Sequence, residues 1–323
     1  MNLDLDAIHL SAGDPRLFDL ERMVLTIVAG WSSLSAPDPG SGKLDIYLAA
    51  HPAHAELLTK SYVSTQAYGA PFASTVAVVD DGQPVDTAFH GSVARLTTEC
   101  AALFVDTPLE VVVENARNDG DFFQSFLRAV DTSLVDLFAG TRPPVKFVNG
   151  GGVTEIVESL PARAAWFYSR GLPPRMIVLV DSDRKFPGHS PKVANKLTAA
   201  CIAEQVTLRV LEKRAIENYL SDDVLDAYAH SNSDVSASVV FIRQLSSAQR
   251  DYFPIKVGVT SVLGGDEAKL YAGLDLSKLA SSKLPNAMTY FLSLGVSPSD
   301  TELVSRDCLV EMQTIARDIR AEL

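Results

Sequence analysis

Asp181 and Asp183 stand at the end of a short apolar run, where two carboxylates can share one cation. The run at 176–180 is rich in valine and isoleucine, which is typical of a strand buried on both faces. In α/β sheets, ligands bind outside the carboxyl ends of such strands. Oxygen ligands of this kind suit Mg²⁺ or Mn²⁺. The alternative is a solvated Asp-Ser-Asp turn that only closes the strand.

Further acidic residues recur at matching places along the chain. Glu114 follows another apolar run at 109–113, and Glu217 follows a later predicted strand. Asp119 and Asp121 begin the helix after Glu114, where the helix dipole by itself favours carboxylates. Like charges at close range oppose each other's ionisation, and a divalent ion removes that cost. The pattern therefore predicts a metal site, for which Asp119 and Asp121 are further candidates.

The charge of the chain is unevenly distributed around these acids. The net charge is −12, which argues against a general nucleic-acid coat protein. Residues 184–214, by contrast, carry seven lysines and arginines against two glutamates. We expect four of these cations to bind substrate phosphates, unless they only form solvated helix faces. They are Arg184, Lys185, Lys192 and Arg214.

From residue 109 onward, predicted strands and helices alternate. This alternation predicts an α/β fold with a mainly parallel sheet flanked by helices. The strands are predicted at 109–113, 145–148, 176–180 and 206–211. The helices are predicted at 121–138, at 153–169 with a kink or break near Pro161, at 192–204 and at 215–229.

The rest of the chain divides into an N-terminal α/β extension and a mostly helical C-terminal part, so the predicted regions are 1–105, 106–230 and 231–323. In the N-terminal region we predict helices at 18–31 and 93–104, strands at 44–48, 74–80 and 85–89, and a hairpin at Asp81-Gly82. The last helix should begin with the capping pattern Ser299-Asp-Thr-Glu302. Its apolar stripe is Leu309, Met312, Ile315 and Ile319.

Cysteine content and hydropathy point to the cytoplasm. The three cysteines are widely separated and odd in number, so neither a disulfide framework nor a zinc cluster is expected. The first residues lack the basic start of a secretion signal. No apolar run approaches the roughly 20 residues of a membrane span. Whether the protein forms an oligomer is left open.

Three segments in this order resemble a Toprim domain of the branch found in OLD-family and related anti-phage nucleases. They are VENARNDGDFF at 113–123, FVNGGG at 147–152 and VLVDSD at 178–183. The segment KRAIENYL at 213–220 is similar to the Arg-x-x-Glu-Asn-Tyr stretch of that group. The resemblance covers about residues 108–230. It departs from the family at Asn115, where glycine is usual, and at Asp119, which follows the glutamate by five residues where four is typical. Asp119 and Asp121 therefore compete for the role of that aspartate.

The resemblance implies a role for each matching residue. Glu114, Asp119, Asp181, Asp183 and Glu217 would hold one or two Mg²⁺ or Mn²⁺ ions. Glu114, Asp181, Asp183 and Lys213 would be the catalytic residues, with Lys213 as the basic residue that assists the reaction. The implied activity is an endonuclease of the two-metal type acting on DNA or RNA.

The resemblance also implies a partner, because OLD proteins carry an ATPase domain that we do not find in this sequence. A separate ATPase would then regulate the nuclease, as the effector of an anti-phage defence system. Two other functions remain open. An Asp-x-Asp nucleotide-sugar transferase would leave Glu114 and Glu217 without a role. A non-catalytic Toprim-like module that binds a partner would not need the intact acids.

Overall fold

The computed structural model describes residues 1–69, 74–80, 83, 85–90, 93–260 and 263–323. Its architecture is α/β, with two separate sheets flanked by helices and a helical C-terminal part. This confirms the predicted fold class. The hairpin predicted at Asp81-Gly82 lies outside the described residues.

The N-terminal sheet has five strands in the order β2-β1-β3-β5-β4. All neighbours are parallel except β4, which runs antiparallel to β5 at the edge. The strands are β1 Asn2–Ala7, β2 Ser33–Ala36, β3 Thr75–Val79, β4 Asp86–His90 and β5 Val93–Thr97. The helices of this region are α1 Arg16–Val28, α2 Asp45–Ala50, α3 Ala55–Tyr68 and α4 Thr98–Asp106.

Two predictions in this region are wrong, and two strands were missed. A strand is predicted at 44–48, but most of these residues belong to α2. The reason is that Leu44 and Tyr47 are both buried, and a spacing of three residues puts them on one face of a helix. The helix expected from residue 93 begins only at Thr98. Residues 93–97 form β5, in which exposed and buried side chains alternate. The missed strands are β1 and β2.

The second sheet has four parallel strands in the order β7-β6-β8-β9. They are β6 Leu109–Val113, β7 Val145–Asn149, β8 Met176–Val180 and β9 Thr207–Val210. The connecting helices are α5 Asn118–Val130, α6 Thr132–Asp136, α7 Val153–Tyr168 and α8 Lys192–Ala203. All four predicted strands are confirmed. The clearest signal is the apolar run of β8, which is buried along its whole length.

Three helix predictions in this region need correction. The helix expected at 121–138 is divided into α5 and α6, because the Asp131 carboxylate accepts the Leu134 N–H and caps a new helix. Pro161 does not break α7, which continues through it while buried Leu160 and Ala164 hold the adjoining turns. The helix expected at 215–229 is a 3₁₀ turn, Ile216–Tyr219, followed by a helix that Ser221 caps.

The C-terminal part is helical, as predicted. The helix that Ser221 caps is α9 Asp222–Ser231. The helices beyond it are α10 Ser236–Gln244, α11 Ser247–Tyr252, α12 Gly265–Leu270, α13 Leu276–Ser281, α14 Ala287–Ser293, α15 Asp300–Ser305 and α16 Leu309–Glu322. The capping box of Ser299 and Glu302 is present, but it begins α15. The apolar stripe belongs to α16, a separate helix, where Met312, Ile315 and Ile319 are buried.

Two hydrophobic clusters hold these parts together. One packs α5 and the C-terminal helices against one face of the second sheet, around Val111, Val113 and Ile177. The other joins the N-terminal sheet to the opposite face, through Val112, Val178 and the helices α7 and α8. The first cluster crosses the region boundary at 230 and the second crosses the boundary at 105, so the three-region division stays a prediction. Among the described residues, no helix combines the length and apolar character needed to cross a bilayer.

Candidate functional site

The carboxyl ends of β6 and β8 form the switch point of the second sheet. The two strands are neighbours, with Val111 paired to Ile177. From β6 the chain passes through α5 on one face, and it reaches β8 through α7 on the other face. In open α/β sheets, ligands bind in the crevice at this point. Glu114 follows β6 here, and Asp181 follows β8.

A cavity of about 370 Å³ lies at this switch point. All five carboxylates predicted as metal ligands line it, although they come from three separate segments of the chain. Of the described residues, Arg214 and Lys256 are the cations that line it. The lining acids are Glu114, Asp119, Asp181, Asp183 and Glu217.

A glycine loop after β7 holds the turn at Glu114. The Gly150 N–H donates to the Val113 carbonyl at 2.7 Å, and the Gly151 N–H donates to the Glu114 carbonyl at 3.1 Å. A Cβ added at Gly150 would lie 2.4 Å from Ile156 Cγ1 and 2.9 Å from the Val113 carbonyl oxygen. Only glycine permits this close approach. The Gly-Gly-Gly segment therefore fixes the backbone from which Glu114 reaches the cavity.

Asp119 and Asp121 differ sharply in placement. The Asp119 carboxylate accepts the Asn115 N–H at 2.8 Å, and the Asp119 N–H donates to the Asn115 carbonyl at 2.9 Å. Asp119 thus closes the turn after Glu114 and also lines the cavity. Asp121 is exposed and lies outside this lining. Of the two competing candidates, the structure brings Asp119 to the other acids.

The Asp-Ser-Asp turn is tied to the segment that carries Glu217. The Ile216 N–H donates to Asp181 Oδ1 at 3.1 Å, and the buried Ser182 hydroxyl donates to the Lys213 carbonyl at 2.6 Å. The Asp183 N–H donates to the Arg214 carbonyl at 3.0 Å. Asp183 has φ 51°, in the left-handed region that aspartate tolerates better than most residues. These bonds hold Asp181 and Asp183 next to the segment that carries Glu217.

Glu217 sits in a buried 3₁₀ turn that the C-terminal helices support. The Asn218 side-chain amide donates to the carbonyls of Arg250 and Phe253, at 2.7 and 2.8 Å. Arg306, at the end of α15, donates to the Asn218 carbonyl at 2.7 Å. Glu217 itself is only 8% exposed. The region beyond residue 230 therefore shapes part of this site.

Lys213, predicted as a catalytic residue, lies in the protein core behind this turn. It is 4% exposed, and its Nζ lies 3.0 Å from Asp251 Oδ1 and 5.5 Å from the centre of the Tyr219 ring. It lies outside the cavity lining. The cation that sequence reasoning missed is Lys256, whose Nζ lies 4.0 Å from Glu217 Oε1. No local pattern singles it out, because it follows Glu217 by 39 residues in the helical part of the chain.

The four predicted phosphate-binding cations are not all brought together. Arg214 lines the cavity, and its guanidinium donates to the Tyr252 carbonyl at 3.2 Å. Arg184, Lys185 and Lys192 lie outside the lining. Lys185 Nζ is 3.9 Å from Glu267 Oε2, and Lys192 is exposed at the first residue of α8.

The clustered acids disfavour each other's charged forms. Burial, followed by the charges of Asp183 and Asp119, raises the pKa of Glu114 to about 7, against the lowering effect of a hydrogen bond from the Asp181 backbone. Burial also raises the pKa of Asp181 well above its ordinary value, with added repulsion from Glu217 and Glu114. For Asp119 the pKa is raised by burial first and then by Glu217. The cavity therefore favours either protons or a cation.

The donor set suits a hard divalent cation, because five carboxylates offer oxygen ligands without competing sulfur or imidazole. Within the described parts of the chain, no three His, Cys, Asp or Glu side chains are already arranged as a metal site. Comparison with protein-family models, curated proteins and solved structures finds no significant match to this chain.

Proposed function

We propose that this protein is a Mg²⁺- or Mn²⁺-dependent nuclease of the Toprim type, which hydrolyses phosphodiester bonds of DNA or RNA in the cytoplasm. The observation that carries the proposal is the cavity at the switch point of the second sheet. Five carboxylates from three chain segments line it together with two cations. They include every acid that the Toprim resemblance assigns to metal binding.

The acids that line the cavity would bind metal ions, and Glu114 would also transfer a proton. Glu114, Asp119, Asp181, Asp183 and Glu217 would hold one or two divalent ions. When bound, such ions acidify water and stabilise the charge that develops on a phosphate. Glu114 would take a proton from the attacking water. The water oxygen then bonds to phosphorus as the bond from phosphorus to the leaving oxygen breaks. The leaving oxygen takes a proton from solvent, and Glu114 returns its proton to solvent.

Lys256 and Arg214 would supply the positive charge that the substrate phosphate needs. Lys256 is 64% exposed at its side chain and lies beside Glu217, so its ammonium can reach a phosphate in the cavity. Lys256 would take the role expected of Lys213, because the Lys213 ammonium is buried against Asp251. Arg184, Lys185 and Lys192 lie outside the cavity lining and would contact phosphates farther along the substrate.

A nucleotide-sugar transferase would use Asp181 and Asp183 with Mn²⁺ but has no need of Glu114 and Glu217, both of which line the cavity. A partner-binding module would need none of the five acids.

An activity assay separates these functions. Purified protein, incubated at low salt with plasmid, linear DNA and tRNA, should cleave at least one of them with Mg²⁺ or Mn²⁺ and none with EDTA. Turnover of UDP-sugars without nucleic-acid cleavage would support the transferase instead.

Regulation by a separate ATPase in phage defence forms part of the proposal and rests on the Toprim resemblance. Expression of this chain alone should then be tolerated by cells. Co-expression with the ATPase and its trigger should arrest growth or clear an infection. Growth arrest by the isolated chain, at the same protein level and dependent on Asp181, would contradict the requirement for a partner.

A further inference from the structure

The cavity has an apolar lining next to its acids. Ile255 and Met288 are buried, whereas Val257 is 51% exposed and Pro285 is also exposed. This apolar lining consists of Pro254, Ile255, Val257, Pro285 and Met288, and it comes from the loop after α11 and the start of α14. Exposed apolar side chains beside five carboxylates are not needed to bind a metal ion. They indicate that part of the substrate is itself apolar.

Hydrogen bonds fix the backbone that carries this apolar lining. The N–H groups of Val257 and Gly258 both donate to the Pro254 carbonyl, at 3.1 and 2.7 Å. The Leu284 N–H donates to the Ile255 carbonyl at 2.7 Å and so joins the loop to the segment before α14. Gly258 has φ 70°, and a Cβ there would lie 2.6 Å from the Ala280 carbonyl oxygen. The position of Val257 is therefore defined by the fold.

Lys256 lies between the acids and the apolar lining of the cavity. Its ammonium lies 4.0 Å from Glu217, while the next residue, Val257, belongs to the apolar lining. A phosphate bound near Lys256 and the acids would therefore have its own nucleoside close to Val257. In a duplex, each base is stacked on both sides and paired at its edge, so it has no free face. An unpaired nucleotide can place its base against an apolar surface.

The charge of the protein favours the same kind of substrate. Duplex binding draws most of its affinity from many phosphate contacts with lysine and arginine. This chain has a net charge of −12, and two cations line the described cavity. A substrate that gains affinity from one base as well as from phosphate suits such a surface better than a long duplex does.

We infer that the site acts on single-stranded nucleic acid, with one unpaired base against Val257 and Pro285 and its phosphate at the acids. This inference rests on the proposed nuclease function. DNA and RNA single strands offer the same base and phosphate chemistry. A duplex is a substrate only where it opens, because extruding a base from the stack costs free energy.

The test compares three substrates of one sequence: a single strand, its perfect duplex, and a duplex with a central unpaired bubble, each as DNA and as RNA. With Mn²⁺, the single strand and the bubble should be cut at least about tenfold faster than the duplex. Equal rates on single strand and duplex would overturn this inference and leave the nuclease function intact. Absence of cleavage on all substrates would overturn both.

A variant of the apolar lining tests the base contact separately. Val257→Ser should raise KM for the single strand about fivefold with little change in kcat, because it removes apolar contact without touching the acids. The matched control is Val240→Ser on α10, where the valine is 58% exposed and lies outside the cavity lining. An unchanged KM in Val257→Ser, with a single-strand preference intact, would show that the base does not pack at this residue.

Discussion

Asp181→Asn or Glu114→Gln should reduce metal-dependent nucleic-acid cleavage by more than about a hundredfold. Changes to groups that only orient metal ligands already cost about 10- to 100-fold, and these two acids are proposed as direct ligands. Glu217→Gln should also cut the activity severely if a second ion takes part. Each change keeps the side-chain shape, and the asparagine introduced by Asp181→Asn can still accept the Ile216 N–H that Asp181 accepts at 3.1 Å. The measurement is the initial rate with Mn²⁺ on the best substrate.

The matched control is Asp121→Asn, which removes an exposed acid from the first turn of α5, outside the cavity lining. It should cleave at about the wild-type rate. Melting curves in EDTA should show the Asp181 and Glu114 variants at least as stable as wild type, because one repelling charge is gone. Wild-type rates in both variants would refute the nuclease assignment.

Addition of Mn²⁺ should stabilise the wild-type protein, and Asp183→Asn should remove most of that gain. A ligand at about 100 times its dissociation constant adds roughly 2.7 kcal/mol to the free energy of unfolding. The variant loses one carboxylate from the site, while asparagine tolerates the left-handed backbone at this residue. Without metal, the variant should be as stable as wild type or slightly more so. Melting curves in EDTA and in Mn²⁺ measure both effects.

The pH dependence of the same curves should contain a contribution from Glu114, beside those of Asp181 and Glu311, whose pKa values burial also raises. Its pKa is about 7 in the folded protein, against an ordinary value of 4.5 for the unfolded chain, so the folded state holds an extra proton between these values. In EDTA the contribution of Glu114 to the free energy of unfolding should therefore be largest below about pH 4.5. It should decline up to about pH 7 and then level off. Glu114→Gln should remove this contribution. Asp183→Asn should move the decline to lower pH, because Asp183 is the largest charged contributor to the raised pKa.

Asp121→Asn is again the control, because removal of this exposed carboxylate should change neither the stabilisation by Mn²⁺ nor the pH dependence of the stability. An equal Mn²⁺ gain in wild type and Asp183→Asn would show that these acids do not form the metal site. A loss of several degrees by Asp183→Asn in EDTA would instead indicate a structural role for its carboxylate, as the solvated-turn interpretation of the Asp-Ser-Asp motif implies.

Local sequence patterns determined the second sheet and the edge at which the acids lie. The runs at 109–113 and 176–180 are too short and too rich in β-branched residues for helices, and each is followed by carboxylates. Parallel strands place such following residues at one edge. Glu114, Asp181 and Asp183 could therefore be grouped from the sequence alone. The mispredicted segments at 44–48 and 93–97 are short, and in such short segments the apolar pattern alone does not separate a helix from a strand.

Only the tertiary structure decided which charged groups face the cavity. Lys213 is close to Glu217 in sequence, yet packing against Tyr219 and pairing with Asp251 draw its side chain into the core. Lys256 reaches the site because the loop after α11 folds back over the turn of Glu217. Asp119 and Asp121 are both compatible with a helix start, but only the turn closed onto Asn115 directs Asp119 inward. These outcomes depend on contacts between distant segments, which local periodicity and charge cannot encode.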